Sequence, residues 1–348
     1  MPRTAPGSVG GMEWTDDVSA GDWIRERLVA DHEDWSTMHM VVPRGFAAYA
    51  RIFHPASRDR PVGEAWPGLP YAQHRRDWDA FQKRNPEIVT ERVTWRETAR
   101  ALGTTMHPLA QWDRLVAPGI IVENEDGPRD AAGWRYGAPR MGDLEPDVVA
   151  SIARHLAAHT TTPDAGFVAL WEGFGGILGF LGEHPSRAFF QIDESSPGDV
   201  TYAPLATHNE MLSRSTKDPF NKVFAQPTWQ EGILSREISE GPRLQLPHRA
   251  HVLFRGGIAE LTDDDWVLRM PWRDVVAESH GFPPDAHAPS LVWPDDHAWV
   301  LVTEVDYDST IVGGSPSLIA AILDDPQLEA LPVSEGAEFA WTGDEAGS

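Results

Sequence analysis

The sequence contains no cysteine, so disulfides, thiolate nucleophiles and cysteine-ligated zinc or iron–sulfur centres are excluded. Lysine is nearly as scarce: Lys83, Lys217 and Lys222 are the only three among 29 basic residues. Arginine therefore carries most of the positive charge, and it forms planar two-point pairs with carboxylates that tolerate burial, whereas lysine stays hydrated. Long apolar runs are missing too. The longest, FVALWEGFGGILGFLG from Phe167, is broken by Glu172 and several glycines and is too short to span a bilayer. The opening MPRTAPGSVGGMEW lacks the apolar core of a signal peptide and reads as a flexible leader. A Walker A motif, a GxSxG elbow and the kinase signatures are also absent. These absences lead us to expect a cytoplasmic protein with no bound cofactor.

What is present is acid and aromatic. Against the 29 basic residues stand 53 Asp and Glu, a formal net charge of −24 that repels nucleic-acid phosphates and anionic membranes. Another protein is the expected partner, with no nucleic acid and no membrane. At 41% hydrophobic residues and with 15 tryptophans, the 348-residue chain has ample material for a packed core.

The pattern predicts an α+β protein of mixed or antiparallel sheets with flanking helices. Residues 1–18 read as the leader, 19–172 as an N-terminal α+β unit, 173–240 as an irregular insertion or connection, 241–335 as a C-terminal α+β unit and 336–348 as a frayed tail. Helices are expected over 19–31, near HRRDWDAFQK, after the capping box Thr94-x-x-Glu97, just beyond His107-Pro108, through DVVASIARHLAAH and over SLIAAILDD. Strands are expected at 38–42, FAAYARIF, FVALWE, AFFQI, AHVLFRG and AWVLVTEV.

Two segments look related. PDAGFVALWE (163–172) and PDDHAWVLVTE (294–304) align with one gap, and in each half a proline precedes a strand arginine by eight residues, Pro43 to Arg51 and Pro247 to Arg255. Two related strand–helix–strand units would follow, with Arg51 pairing Glu172 and Arg255 pairing Glu304 as structural ion pairs.

The stretch TEVDYD then poses a chemical question. Glu304, Asp306 and Asp308, two residues apart, would share one strand face and repel unless a cation answers them. A hard divalent cation would suit three oxygen donors. The local sequence favours solvated or structural acids, because Asp308-Ser309-Thr310 and Gly313-Gly314 read as turns in which Asp bonds nearby amides. His155 and His159 have metal-ligand spacing on one helix, but HLAAH lacks the glutamate of HExxH. GFGGILG with Asp193 further on is a partial dinucleotide fingerprint, opposed by Glu172, which would face the pyrophosphate.

LPHRAHVLFRGGI, the run from Pro289 to Gly314, LEALPV and TTPDAGFVALWEGFG together are similar to actinobacterial proteins without an established activity. The GGS-helix ending resembles the immunity and interaction proteins of the SUKH group. Neither resemblance imports an activity, a cofactor or a site residue. The expectation is a non-enzymatic binding or protein-interaction protein, adaptor-like or immunity-like. The alternative is a divalent-metal-dependent hydrolase built on Glu304, Asp306 and Asp308, supplemented by His54 or by His155 and His159.

Overall fold

The expected strands at FAAYARIF, FVALWE, AHVLFRG and AWVLVTEV all enter one sheet. The structure, a computed structural model, describes residues 11–29, 37–117, 127–183, 185–187, 190–192, 200–202 and 227–339. In chain order the strands begin β1 (Glu13–Trp14), β2 (Ala48–Phe53), β3 (Ala56–Pro61), β4 (Ile88–Val93), β5 (Arg135–Gly137), β6 (Gly166–Trp171), β7 (Phe180–Gly182) and β8 (Phe190–Ile192). They continue as β9 (Val200–Tyr202), β10 (Thr228–Gln230), β11 (Leu244–Gln245), β12 (Ala250–Arg255), β13 (Leu291–Pro294), β14 (Val300–Thr303), β15 (Ser309–Gly314) and β16 (Ala330–Val333). The helices are α1 (Asp22–Arg27), α2 (Tyr71–Arg84), α3 (Trp95–Leu102), α4 (Trp112–Val116), α5 (Pro146–Ala158), α6 (Arg236–Glu240), α7 (Val275–Ser279) and α8 (Pro316–Leu323). None of them is long and apolar enough to cross a membrane.

Nine strands make the main sheet, in the order β1-β12-β6-β13-β14-β15-β2-β16 with β11 also on β12, and every neighbouring pair is antiparallel. The fold is therefore α+β with antiparallel sheets. Its strands alternate strictly, and both faces are apolar, so both are covered. Ala50, Ile52, Val168, Leu170, Val252 and Phe254 pack on one face against Val148, Ile152 and Leu156 of α5 and Leu318 and Ile322 of α8. Tyr49, Ala169, Leu253, Trp293, Val302 and Ile311 pack on the other, against Ile24 of α1, Met38 and Val42. A third cluster, around Phe53, Trp95, Trp112 and Tyr136, lies where α3 and α4 meet the small sheet β4-β3-β5.

Buried tryptophans tie these layers together by polar as well as apolar contacts. Trp95, Trp266, Trp272 and Trp299 are fully buried, and each indole N–H donates to a carbonyl: of His54, Pro146, His287 and Leu156 respectively. Each ring thus buries a large apolar area without leaving its one donor unpaired.

Several expectations need correction. The two halves do not form separate units, since strands from before residue 172 and after 241 interleave in one sheet. β2 and β6 are separated by β13, β14 and β15, and β12 and β14 by β6 and β13. Part of the expected flexible leader is built into the fold, with Met12 buried and β1 paired to β12. Residues 38–42 form a 3-10 turn at Met38–Met40 rather than a strand. Ser309-Thr310 and Gly313-Gly314, read as turns, both belong to the interior strand β15. GFGGILG is a series of turns that leads into strand β7 rather than into a helix, and Asp193 lies outside the described residues.

Candidate functional site

The acids of TEVDYD are answered by arginines, but not by those expected. At about 4.8 Å per strand, the four steps from β2 to β6 keep Arg51 roughly 19 Å from Glu172. Arg255 and Glu304 lie three strands apart and at opposite strand ends, because Arg255 is in register with Phe167 while Glu304 lies beyond Val302, which faces Leu291. Each residue takes a nearer partner. Glu172 meets Arg243 at 3.1 Å, and Arg255 grips Asp295 through two parallel bonds of 2.9 and 2.5 Å. Glu304 accepts from Arg249 Nε at 3.0 Å, and the same guanidinium bonds Asp306.

Arg51 is the most completely engaged of the four. Only 2% exposed, it donates from Nε to Ser309 Oγ at 2.8 Å, from Nη1 to the carbonyls of Pro108 and Ala110 at 3.0 and 2.9 Å, and from Nη2 to Asp308 Oδ1 at 3.2 Å. Phe53, Phe339 and Trp95 surround it, their ring centroids 4.6, 5.1 and 5.8 Å from the guanidinium carbon. Such an arginine is a structural post, since its donors are spent on fixed acceptors.

Above this post opens a cleft whose empty space, open solvent included, is about 690 Å³. The largely buried Arg51–Asp308 pair forms its floor, and Trp112 and Asp113 of α4 and the loop 138–141 line its sides. Asp306, Tyr307 and Phe339 complete it. Burial raises the Asp308 carboxyl above its ordinary value, against the pull of Arg51, and burial with nearby Glu304 pushes Tyr307 up to about 12. Asp306, with 71% of its side chain exposed, and the exposed Asp113 hold the rim, where Met141 is 64% exposed.

His54 fixes the loop wall from behind. Its Nδ1 lies 2.6 Å from the carbonyl of Arg140, which can only accept, so Nδ1 carries the proton and Nε2 receives the Thr310 hydroxyl at 3.0 Å. Burial, reinforced by Arg51, lowers its pKa to about 4, which keeps the ring neutral. The wall is also held by Gly142, whose N–H donates to the Tyr307 carbonyl at 2.9 Å from a left-handed conformation, φ +66°.

The residues of the metal reading are not gathered. His155 and Ser151 on α5 both bond Asp325 beyond α8, at 2.8 and 2.7 Å, and His159 Nδ1 turns back to the His155 carbonyl. This clasp belongs to the helices on the first sheet face, whereas Glu304 continues the Val300 and Val302 side of β14 on the second. Among the described residues no group of three or more His, Asp or Glu is placed to hold a metal ion.

No family model, no curated protein and no solved structure matches this chain. Sequence reasoning missed Arg249, Arg243, Asp113 and Met141. The signal for Arg249 was legible, because it shares strand parity with His251, Leu253 and Arg255, the side on which Glu304 falls.

Proposed function

We propose that the protein is a cytoplasmic, non-enzymatic binding protein that docks a basic segment of another protein in this cleft. The observation that carries the reading is the mismatch between its floor and its rim. The only cation among the described lining residues, Arg51, is buried and committed to fixed acceptors, while Asp113 stands exposed and Asp306, though bonded to Arg249 from outside the cleft lining, keeps most of its side chain exposed. An arginine or lysine side chain fits such a place: its aliphatic stem lies on the apolar wall and its charged head reaches the carboxylates. The net charge of −24 draws a basic partner in and repels an acidic one, as an adaptor-like or immunity-like role requires.

The test is a calorimetric titration of the full chain with acetyl-Gly-Arg-Gly-amide and with its Glu counterpart. The arginine peptide should bind saturably, more weakly at high salt, and more weakly to Asp113→Asn. Equal response to both peptides, or none to either, contradicts the reading.

A further inference from the structure

The small sheet β4-β3-β5 starts in the buried cluster at Ala56 and Val93 and ends in an open groove against the turn at Ala132 and Gly133. The empty space of this groove, open solvent included, is about 1090 Å³, and Pro61, Val62, Ala65 and Val89 give it an apolar lining. Val62 and Val89 are 49% and 39% exposed. Two arginines of β3 share one indole here: the guanidinium carbons of Arg58 and Arg60 each lie 4.5 Å from the Trp134 ring centroid. Contact with a ring holds a guanidinium in place while leaving its in-plane donors free. The strand register then treats the two arginines differently. It sets Glu91 opposite Arg58, and that carboxylate accepts from Nε at 3.1 Å and from Nη2 at 2.8 Å. It sets Val89 opposite Arg60. Among the described residues the exposed Arg60 meets no carboxylate, and its one hydrogen bond is a long one, 3.5 Å from Nη1 to the Ala132 carbonyl.

We propose that this groove is a ligand site for a small organic monocarboxylate with a compact apolar body, which gives Arg60 the counter-charge that Glu91 gives Arg58. The carboxylate accepts from the Arg60 donors that Ala132 leaves unused, as a charge-assisted pair. The apolar body covers Val62 and Val89 and takes their exposed surface out of water. Charge sets the class of ligand. One guanidinium answers one carboxylate, and a second acid on the ligand would approach Glu64 in the same groove. Arg84 offers it no relief, because it already bonds Glu64 at 2.7 Å. A doubly charged phosphate would carry an unanswered charge onto a protein of net −24. A neutral amide would lose the ionic part of the bond, and an alkylammonium would face the Arg60 charge itself.

The groove and the acidic cleft take ligands of opposite charge, so a failure at one is distinguishable from a failure at the other. The full chain is titrated with 3-methylbutanoate, 3-methylbutanamide and 3-methylbutylamine while the arginine Nε–H signals are followed by NMR, with that of Arg60 assigned through Arg60→Lys. The expected result is a saturable shift of the Arg60 signal with 3-methylbutanoate and with neither of the other two probes. Val89→Glu sets an acid opposite Arg60 as Glu91 stands opposite Arg58, and the exposure of Val89 lets the variant keep its fold. It should weaken 3-methylbutanoate binding at least about tenfold while leaving arginine-peptide binding at the cleft unchanged. Arg60→Gln, which removes the charge and adds no bulk, should weaken it as much. An unmoved Arg60 signal, an equal response to the amide, or undiminished binding in either folded variant would overturn the proposal.

Discussion

At the scale of single residues, buried charge and buried imidazole dominate the energetics. Removing Arg51 strips Asp308 of its partner and leaves the Pro108 and Ala110 carbonyls without their donors. Arg51→Met should therefore cost roughly 3–5 kcal/mol in urea melts, whereas Asp308→Asn, which keeps an acceptor oxygen, should cost less. The reverse order would show that Arg51 is not the post described. Acid sensitivity follows from His54 and His251, both lowered from the ordinary 6.5 to about 4 chiefly by burial. Because the folded pKa lies below the unfolded one, the unfolded chain takes up protons first. Stability is then complete above pH 6.5 and falls as pH drops toward 4, by roughly 3 kcal/mol per histidine. Glu304, Asp308 and Glu329 work the other way, since burial raises their carboxyls and their protonation relieves the folded state. The net loss between pH 6.5 and 5 should therefore be reduced by at least about half in His54→Gln, as read from denaturation midpoints; an unchanged slope would contradict the neutral, buried assignment.

At the scale of elements, local signals served well wherever a segment carried its own punctuation. Thr94 and Glu97 form the reciprocal cap that opens α3, and Gly103 closes it in a left-handed conformation. α5 and α8 were equally legible from their apolar stripes. β15 was not, because Gly313 and Gly314 resemble a turn. Their actual role is close packing: a Cβ at Gly313 would meet the Phe46 and Tyr49 rings at 2.8 Å, and one at Gly314 would meet Leu318 at 2.7 Å. Only the tertiary neighbours show that. The cleft wall depends on a third glycine, and a comparison isolates its effect. A Cβ on Gly142 would lie 2.4 Å from Val305 Cα, whereas at Gly103 nothing lies within 4 Å, although both have positive φ. Gly103→Ala should cost about 1 kcal/mol and spare peptide binding; Gly142→Ala should cost more and weaken binding, because the loop must shift. Equal effects on binding would detach the loop from the site.

At the scale of the whole molecule, the sequence marked the right acids and the wrong partners. That Glu172 and Glu304 needed guanidinium groups was readable from their places at strand ends. Which guanidinium groups supply them depends on strand order, and interleaved antiparallel strands hide that order from any segment-by-segment reading. The apparent repeat pointed to β6 and β14, and both do lie in the central sheet, but with β13 between them rather than in separate units. The same topology brings Asp113 of α4, Asp306 and Met141 around one cleft, a convergence with no signature along the chain. Chemical-shift mapping of the full chain with acetyl-Gly-Arg-Gly-amide tests that convergence most directly. The account predicts perturbations concentrated on Trp112, Asp113, Met141 and Tyr307, fading as salt is raised; perturbations centred elsewhere on the surface, with these four unmoved, would contradict it.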